Sequence, residues 1–83
     1  MTEINLYDTI VLTENLTTQE FMNDKSIILN KGLVGTVVDE YNNKEAFEVE
    51  FADDDGQTYA LLAIPADKLM KIYFSHPNLV VTN

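Results

Sequence analysis

The sequence predicts an all-β fold, a small sheet of five short strands wrapped around one core, and three observations predict it. Short apolar runs alternate with turn signals along the whole chain. One of those runs, in which Phe47, Val49 and Phe51 alternate with Glu48 and Glu50, has the two-residue period of a half-buried strand. The length, 83 residues of which 46% are hydrophobic, suffices for one core and leaves no room for a second domain. Residues 1–83 are therefore read as a single domain, with its core at about 7–73 and a C-terminal tail over 74–83.

The first strand is expected over residues 7–13 (YDTIVLT), which are rich in β-branched side chains. Residues 14–31 read as a long connection. Within it, Thr17-Thr18-Gln19-Glu20 has the spacing of a capping box, which predicts one helical turn. Gly32-Leu33-Val34-Gly35 then leads into a second strand over 36–41. Asn42-Asn43 marks a turn, since asparagine tolerates positive φ. The third strand covers 46–51, and Asp53-Asp54-Asp55-Gly56 makes the next hairpin turn. Residues 58–64 (TYALLAI) are apolar on both faces, which predicts a central strand. Pro65 opens a helical turn that runs to Leu69, and residues 70–73 form a short last strand. Two tight hairpins, a long first loop and a helical turn before the last strand describe a small SH3-like barrel. An OB-like barrel, the rival arrangement, usually needs more residues and a longer helix between its third and fourth strands.

The run Lys31-Gly32-x-x-Gly35-Thr36-Val37-Val38, followed by Tyr41, Glu45-Ala46-x-Glu48-Val49-Glu50-Phe51, Asp55-Gly56 and Pro65-Ala66-Asp67-x-Leu69, resembles a small bacterial family labelled domain of unknown function 4926. With the opening Tyr7-Asp8-Thr9-Ile10-Val11-Leu12, the resemblance spans residues 7–69. It implies an SH3-like, KOW-like barrel and supplies no activity. The chain departs from the family pattern in a longer first loop, around 21–28, and in an extended tail after Leu69.

Composition excludes several chemistries. There is no cysteine, so no disulfide framework, thiolate zinc site or cysteine nucleophile is available. The single histidine, His76, precedes Pro77 in the tail, where no serine or acid accompanies it in a catalytic pattern. No catalytic residue, metal ligand or cofactor site is assigned. Asp53-Asp54-Asp55-Gly56 fails as a calcium loop: counting back from a sixth-position Gly56 puts Phe51 first and Leu62 last, where carboxylates are required. Gly32 and Gly35 precede a strand, not the helix that a phosphate loop needs, so they read as residues of a bend and a close backbone approach. The four tyrosines, Tyr7, Tyr41, Tyr59 and Tyr73, read as core and rim packing. The basic residues are five lysines, against 14 acids, for a net charge of −9. Such a chain repels nucleic acid and anionic membrane, and without arginine it makes no bidentate guanine contact. The first twenty residues carry acids and no lysine, and no window approaches the ~20 apolar residues of a membrane span; a cytoplasmic protein is expected.

What remains is the acid itself. Glu40, Glu45, Glu48 and Glu50 cluster on one hairpin, with Asp53, Asp54 and Asp55 at its far turn. The alternation turns Glu48 and Glu50 away from the aromatics. An even-length loop at Asn42-Asn43 would set Val38 and Thr36 against those aromatics and bring Glu40 and Glu45 together; an odd-length loop would turn Val37 and Gly35 inward instead. Like charges facing each other cost stability, so the crowd needs solvent or a basic partner. The expectation is a non-catalytic protein-interaction module that docks on a basic protein, in the manner of an antitoxin, an immunity protein or a subunit of a larger complex. The alternative is a small homo-oligomer that associates through Phe21, Met22, Ile27 and Ile28 and through Leu79, Val80 and Val81 of the tail. The sequence leaves monomer and homodimer both open.

Overall fold

A computed structural model describes residues 3–73. The chain forms strands β1 (Thr9–Leu12), β2 (Leu16–Gln19), β3 (Ser26–Leu29), β4 (Val34–Tyr41), β5 (Ala46–Ala52), β6 (Thr58–Pro65) and β7 (Leu69–Lys71), with a 3-10 turn, Ala66–Lys68, between the last two. Five strands make one antiparallel sheet in the order β6-β5-β4-β1-β7, and β2 and β3 make a separate two-stranded sheet. Among the described residues, no helix is long and apolar enough to cross a membrane.

The core lies on one face of the large sheet. Pleating sends Phe47, Val49 and Phe51 of β5 inward, where they meet Ile64, Leu62 and Ala60 of β6. Ile10 and Leu12 of β1 and Leu69 of β7 extend the same layer, and Leu29 of β3 closes it. Phe47, Phe51, Val49, Val37, Ile10 and Ile64 are all at most 1% exposed. Each such side chain contributes roughly 1.5–3 kcal/mol by leaving water.

The two hairpin turns and the helical turn stand where the sequence placed them. Asn42, Asn43 and Lys44 have φ of 51°, 58° and 72°, so the β4–β5 turn runs through three successive left-handed residues. Gly56 has φ of 80° in the β5–β6 turn, where Asp53 Oδ1 accepts from the backbone N–H of Asp55 and Gln57. Pro65 precedes the 3-10 turn with φ of −58°.

Three expectations are corrected. The connection over 14–31 holds a hairpin in place of a helical turn. Leu16 pairs with Leu29, Thr17 with Ile28 and Thr18 with Ile27. Leu16, Ile27 and Leu29 all pack on the core. The capping-box glutamate, Glu20, instead accepts from the Asn23 side-chain amide at 2.8 Å and shapes the hairpin turn. Packing of this apolar alternation outweighs a local signal that is worth about 1 kcal/mol.

The expected central strand, β6, lies at the sheet's edge. Its outward Leu61 is 38% exposed, and its outer edge is met by the tip of the β2–β3 hairpin, where the Phe21 N–H donates to the Tyr59 carbonyl at 2.7 Å.

The third correction concerns β4. The β4–β5 loop is even, with Tyr41 opposite Ala46 and Glu40 opposite Phe47, yet Val37 and Gly35 turn inward and not Val38 and Thr36. A register shift between Val37 and Asp39 inserts one residue and inverts the facing of the strand below it.

Gly35 shows how tightly the inverted segment packs. A Cβ there would stand 2.7 Å from Phe51 Cε1, 2.8 Å from Val49 Cγ1 and 2.9 Å from the Glu50 carbonyl oxygen. Gly32 has open space around its Cα but a φ of 93°. Gly35→Ala is expected to destabilise the fold by about 2–3 kcal/mol through overpacking against a backbone that cannot yield, and Gly32→Ala by about 1 kcal/mol through backbone strain. Urea unfolding with an unchanged m value checks both, and equal midpoints for the two variants would contradict this packing.

Candidate functional site

The same pleat that buries Phe47, Val49 and Phe51 puts Glu48 and Glu50 on the opposite, outer face of β5, where both are half-buried among their neighbours. The even β4–β5 loop sets Asp39 directly opposite Glu48, and the bulge below that pair sets Thr36 opposite Glu50. Asp39, Glu48 and Glu50 therefore share one face. Tyr41 Oη donates to Glu48 Oε1 at 2.9 Å, Thr58 Oγ1 donates to Glu50 Oε2, and the Glu40 N–H donates to Asp39 Oδ1 at 2.8 Å. The bond to Glu48 holds the Tyr41 phenol above its ordinary pKa, because losing the proton would place two anions together.

The other expected site residues lie elsewhere. Glu40 is set beside Phe47 by the even hairpin loop, away from Glu48. Glu45 is exposed in the β4–β5 turn, and its carbonyl accepts from the Ala66 N–H at 2.9 Å. Asp53, Asp54 and Asp55 sit in the β5–β6 turn at the other end of β5, eight residues from Glu45, or about 26 Å along the strand. Asp53 is occupied in shaping its turn, and Asp54 and Asp55 are exposed. The structure thus joins Glu48 and Glu50, adds Asp39, and separates both from Glu40, Glu45 and the aspartate turn. An even β4–β5 loop by itself sets Asp39 opposite Glu48, a consequence of that register that the expectation, which named Glu40 and Glu45, left undrawn.

Among the described residues, no lysine forms an ion pair with Asp39, Glu48 or Glu50. The ion pairs are Lys44 Nζ to Glu3 Oε2 at 2.6 Å, Lys71 Nζ to Asp8 Oδ2 at 3.1 Å and Lys68 Nζ to Glu14 Oε1 at 4.0 Å. Lys44 also donates to Asn5 Oδ1 at 2.7 Å, and Lys71 lies 5.0 Å from the centroid of the Tyr73 ring. Lys44 and Lys71 flank an open cleft of about 820 Å³ over Ile4, Phe47 and Leu69. There Lys44 and Lys71 are matched by Glu3 and Asp8, and Asp67 adds a carboxylate to the lining, so the cleft presents no unpaired cation to a ligand.

Of the apolar candidates, Met22 and Ile28 are 87% and 64% exposed, and Phe21 is 41% exposed. Ile27 turns the other way and packs on the core. Leu79, Val80, Val81 and His76 lie outside the described residues. No set of three or more acidic or histidine side chains among the described residues is grouped to hold a metal ion. The Gly32 N–H donates to the Leu12 carbonyl at 2.8 Å, and Gly35 faces Phe51, so both glycines serve the bend and the close approach.

This is a small antiparallel β domain whose sheet has an apolar inner face and an acid-bearing outer one. Residues 6–71 match the family described as Domain of unknown function (DUF4926), and the chain belongs to that family. The match runs from just before β1 through β7. No curated protein and no solved structure matches the chain.

The ion pairs that tie down the ends of the chain give stability a pH dependence. The hydrogen bond and charge of Lys44 hold Glu3 below its ordinary pKa of 4.5. Burial pushes Asp8 up, but the Asn5 N–H and Lys71 outweigh it and hold the group below 3.8. The bond to Glu3 lifts Lys44 above 10.5. A carboxyl with a depressed folded-state pKa stabilises above its unfolded value and loses that contribution as pH falls; a raised lysine stabilises below its unfolded value and loses it as pH climbs. With respect to these groups, stability should be level between about pH 5 and 10 and fall off on both sides. Urea midpoints measured from pH 2.5 to 11 should show a shallower acid limb in a Glu3→Gln/Asp8→Asn double variant than in the parent. Identical acid limbs would contradict the assignment.

Proposed function

We propose that the protein is a non-catalytic interaction module that docks on a basic protein partner through the outer face of its large sheet. One observation carries this reading. Asp39, Glu48 and Glu50 stand together on one face, Glu48 and Glu50 half-buried with hydroxyl donors, and among the described residues no lysine pairs with them, although ion pairs occupy three of the chain's five lysines elsewhere. Such a surface is relieved by a cation from outside. Glu40, Glu45, Asp53, Asp54 and Asp55 extend the negative field around it and steer approach without lying in the contact. An antitoxin-like or immunity-like role, or that of a cytoplasmic complex subunit, fits a small acidic domain of this kind.

The fold we infer in finer detail is an SH3-like barrel. The order β7-β1-β4-β5-β6, a hairpin inserted between β1 and β4, and a 3-10 turn before β7 support it.

Charge reversal tests the docking. With a partner identified by affinity capture, Glu48→Lys/Glu50→Lys should lower the association rate at low salt by about 10-fold or more and flatten its salt dependence. An unchanged rate would refute the acidic dock. Homo-oligomerisation is a second reading, favoured by the exposure of Met22 and Ile28 at 87% and 64%. It requires a concentration-dependent sedimentation coefficient that Met22→Asp/Ile28→Asp abolishes, and a monomer at several hundred micromolar excludes it.

A further inference from the structure

The acids cover only half of the outer face. Met70 of β7, Val11 of β1 and Val34 of β4 are direct cross-strand neighbours and so form one row on that same face. Met70 and Val34 are 58% and 50% exposed, and none of the described residues covers them. The next row carries Thr9, Thr36, Glu50 and Leu61 in succession, and the row beyond that sets Asp39 against Glu48. The face therefore passes from apolar, through uncharged hydroxyl, to acidic. At about 4.8 Å between strands and 6.8 Å between rows, Met70 and Val34 lie about 10 Å apart, and Glu50 is one diagonal step from Val34.

We propose that the Met70–Val11–Val34 row and the acids Glu50, Glu48 and Asp39 form one two-part dock whose occupant is a cationic amphipathic segment of a partner protein, its apolar side chains on the row and its lysines or arginines on the acids. The inference rests on the docking reading above and specifies its partner. Charge complementarity selects this occupant. A second copy of the chain, at a net charge of −9, would bring its own acids to an acidic face. Nucleic acid and anionic lipid are repelled for the same reason. A purely polar basic segment would leave the row wet. Burying an exposed valine and methionine beside charge pairs gives the contact a dehydrated centre, which charge at a rim does not supply. The unbranched thioether of Met70 adapts to differing apolar partners.

Three capped synthetic octapeptides test this against the full chain: alternating Lys-Leu, alternating Lys-Ser and alternating Glu-Leu. Amide shifts are followed by heteronuclear NMR. The Lys-Leu peptide should move the amides of Val11, Val34, Met70, Glu48 and Glu50, and should bind at least about 10-fold more tightly than Lys-Ser, the equivalent of 1.4 kcal/mol. In the Val34→Thr/Met70→Gln variant, whose substitutions are exposed and close in shape, Lys-Leu binding should drop to the Lys-Ser level while Lys-Ser binding stays unchanged. Should that variant lose its dispersed spectrum, Val34→Thr alone carries the same comparison. Equal binding of Lys-Leu and Lys-Ser removes the apolar half and leaves the acidic dock standing. Equal binding of Glu-Leu and Lys-Leu shows a face read without its charge and overturns the proposal. If no lysine peptide moves the outer face, the proposal and the docking reading fall together.

Discussion

The bulge between Val37 and Asp39 decides which side chains of β4 enter the core and sets Thr36 opposite Glu50 on the other side of the sheet. Above it, an even hairpin loop sets Glu40 beside Phe47. Below it, Val37 faces Val49, and Gly35 lies under Phe51 and Val49. Without the extra residue, a continuous register would turn Val37 outward and bring Val38 and Thr36 onto the aromatics. Gly35 fixes the arrangement from the other end, since only a residue without Cβ lets β4 approach Phe51 and the Glu50 backbone so closely. The even loop groups Asp39 with Glu48, and the bulge lets Val37 and Gly35 join Phe47, Val49 and Phe51 in the core.

The distribution of charge follows from the same frame. Lys44 is brought to Glu3 and Asn5 by a turn of three left-handed residues, and Lys71 to Asp8 by its place on β7 next to β1. The Lys44–Glu3 pair is partly exposed and the Lys71–Asp8 pair half-buried, and both contribute modestly to global stability. They do attach the N-terminal segment, with Ile4 at 8% exposure, to the end of the core. The acids of the outer face are left with hydroxyl and backbone N–H donors, which satisfy hydrogen bonding without neutralising charge. The unevenness of the field matters more to association than its total, because a partner meets one face at a time.

The parts of the fold written in local chemistry were legible. The alternation over residues 46–51, the asparagines of the β4–β5 turn, the aspartate-glycine turn and Pro65 each specify a conformation within a few residues, and each stands where expected. The parts decided by tertiary contact were not. Thr17 and Glu20 have the spacing of a helix start, but Leu16, Ile27 and Leu29 gain more by covering the core as a hairpin. In β6 the apolar character of both faces signalled a central strand. The inner residues do pair with Phe47, Val49 and Phe51, but the outward Leu61 and Ala63 border Glu50 and Glu48 at a sheet edge. Glu48 and Glu50 were readable as outward from period alone. Asp39 follows from the even loop, which sets it opposite Glu48; the inward facing of Val37 and Gly35 does not, because the bulge reverses the parity below it.

The edges of the sheet bear on how a partner can approach. An exposed edge invites strand addition, which is indifferent to side-chain charge. Here β6 receives a backbone hydrogen bond at Tyr59 from Phe21 of the β2–β3 hairpin and ends in a proline, which has no N–H to offer. At the other end β7 is three residues long, too short to template a stable pairing. Both edges are therefore blunted, one by cover and one by length. The side chains of the outer face, where Val34, Met70 and the acids stand, are left uncovered by the described residues, so the docking proposed above rests on a face and not on an edge.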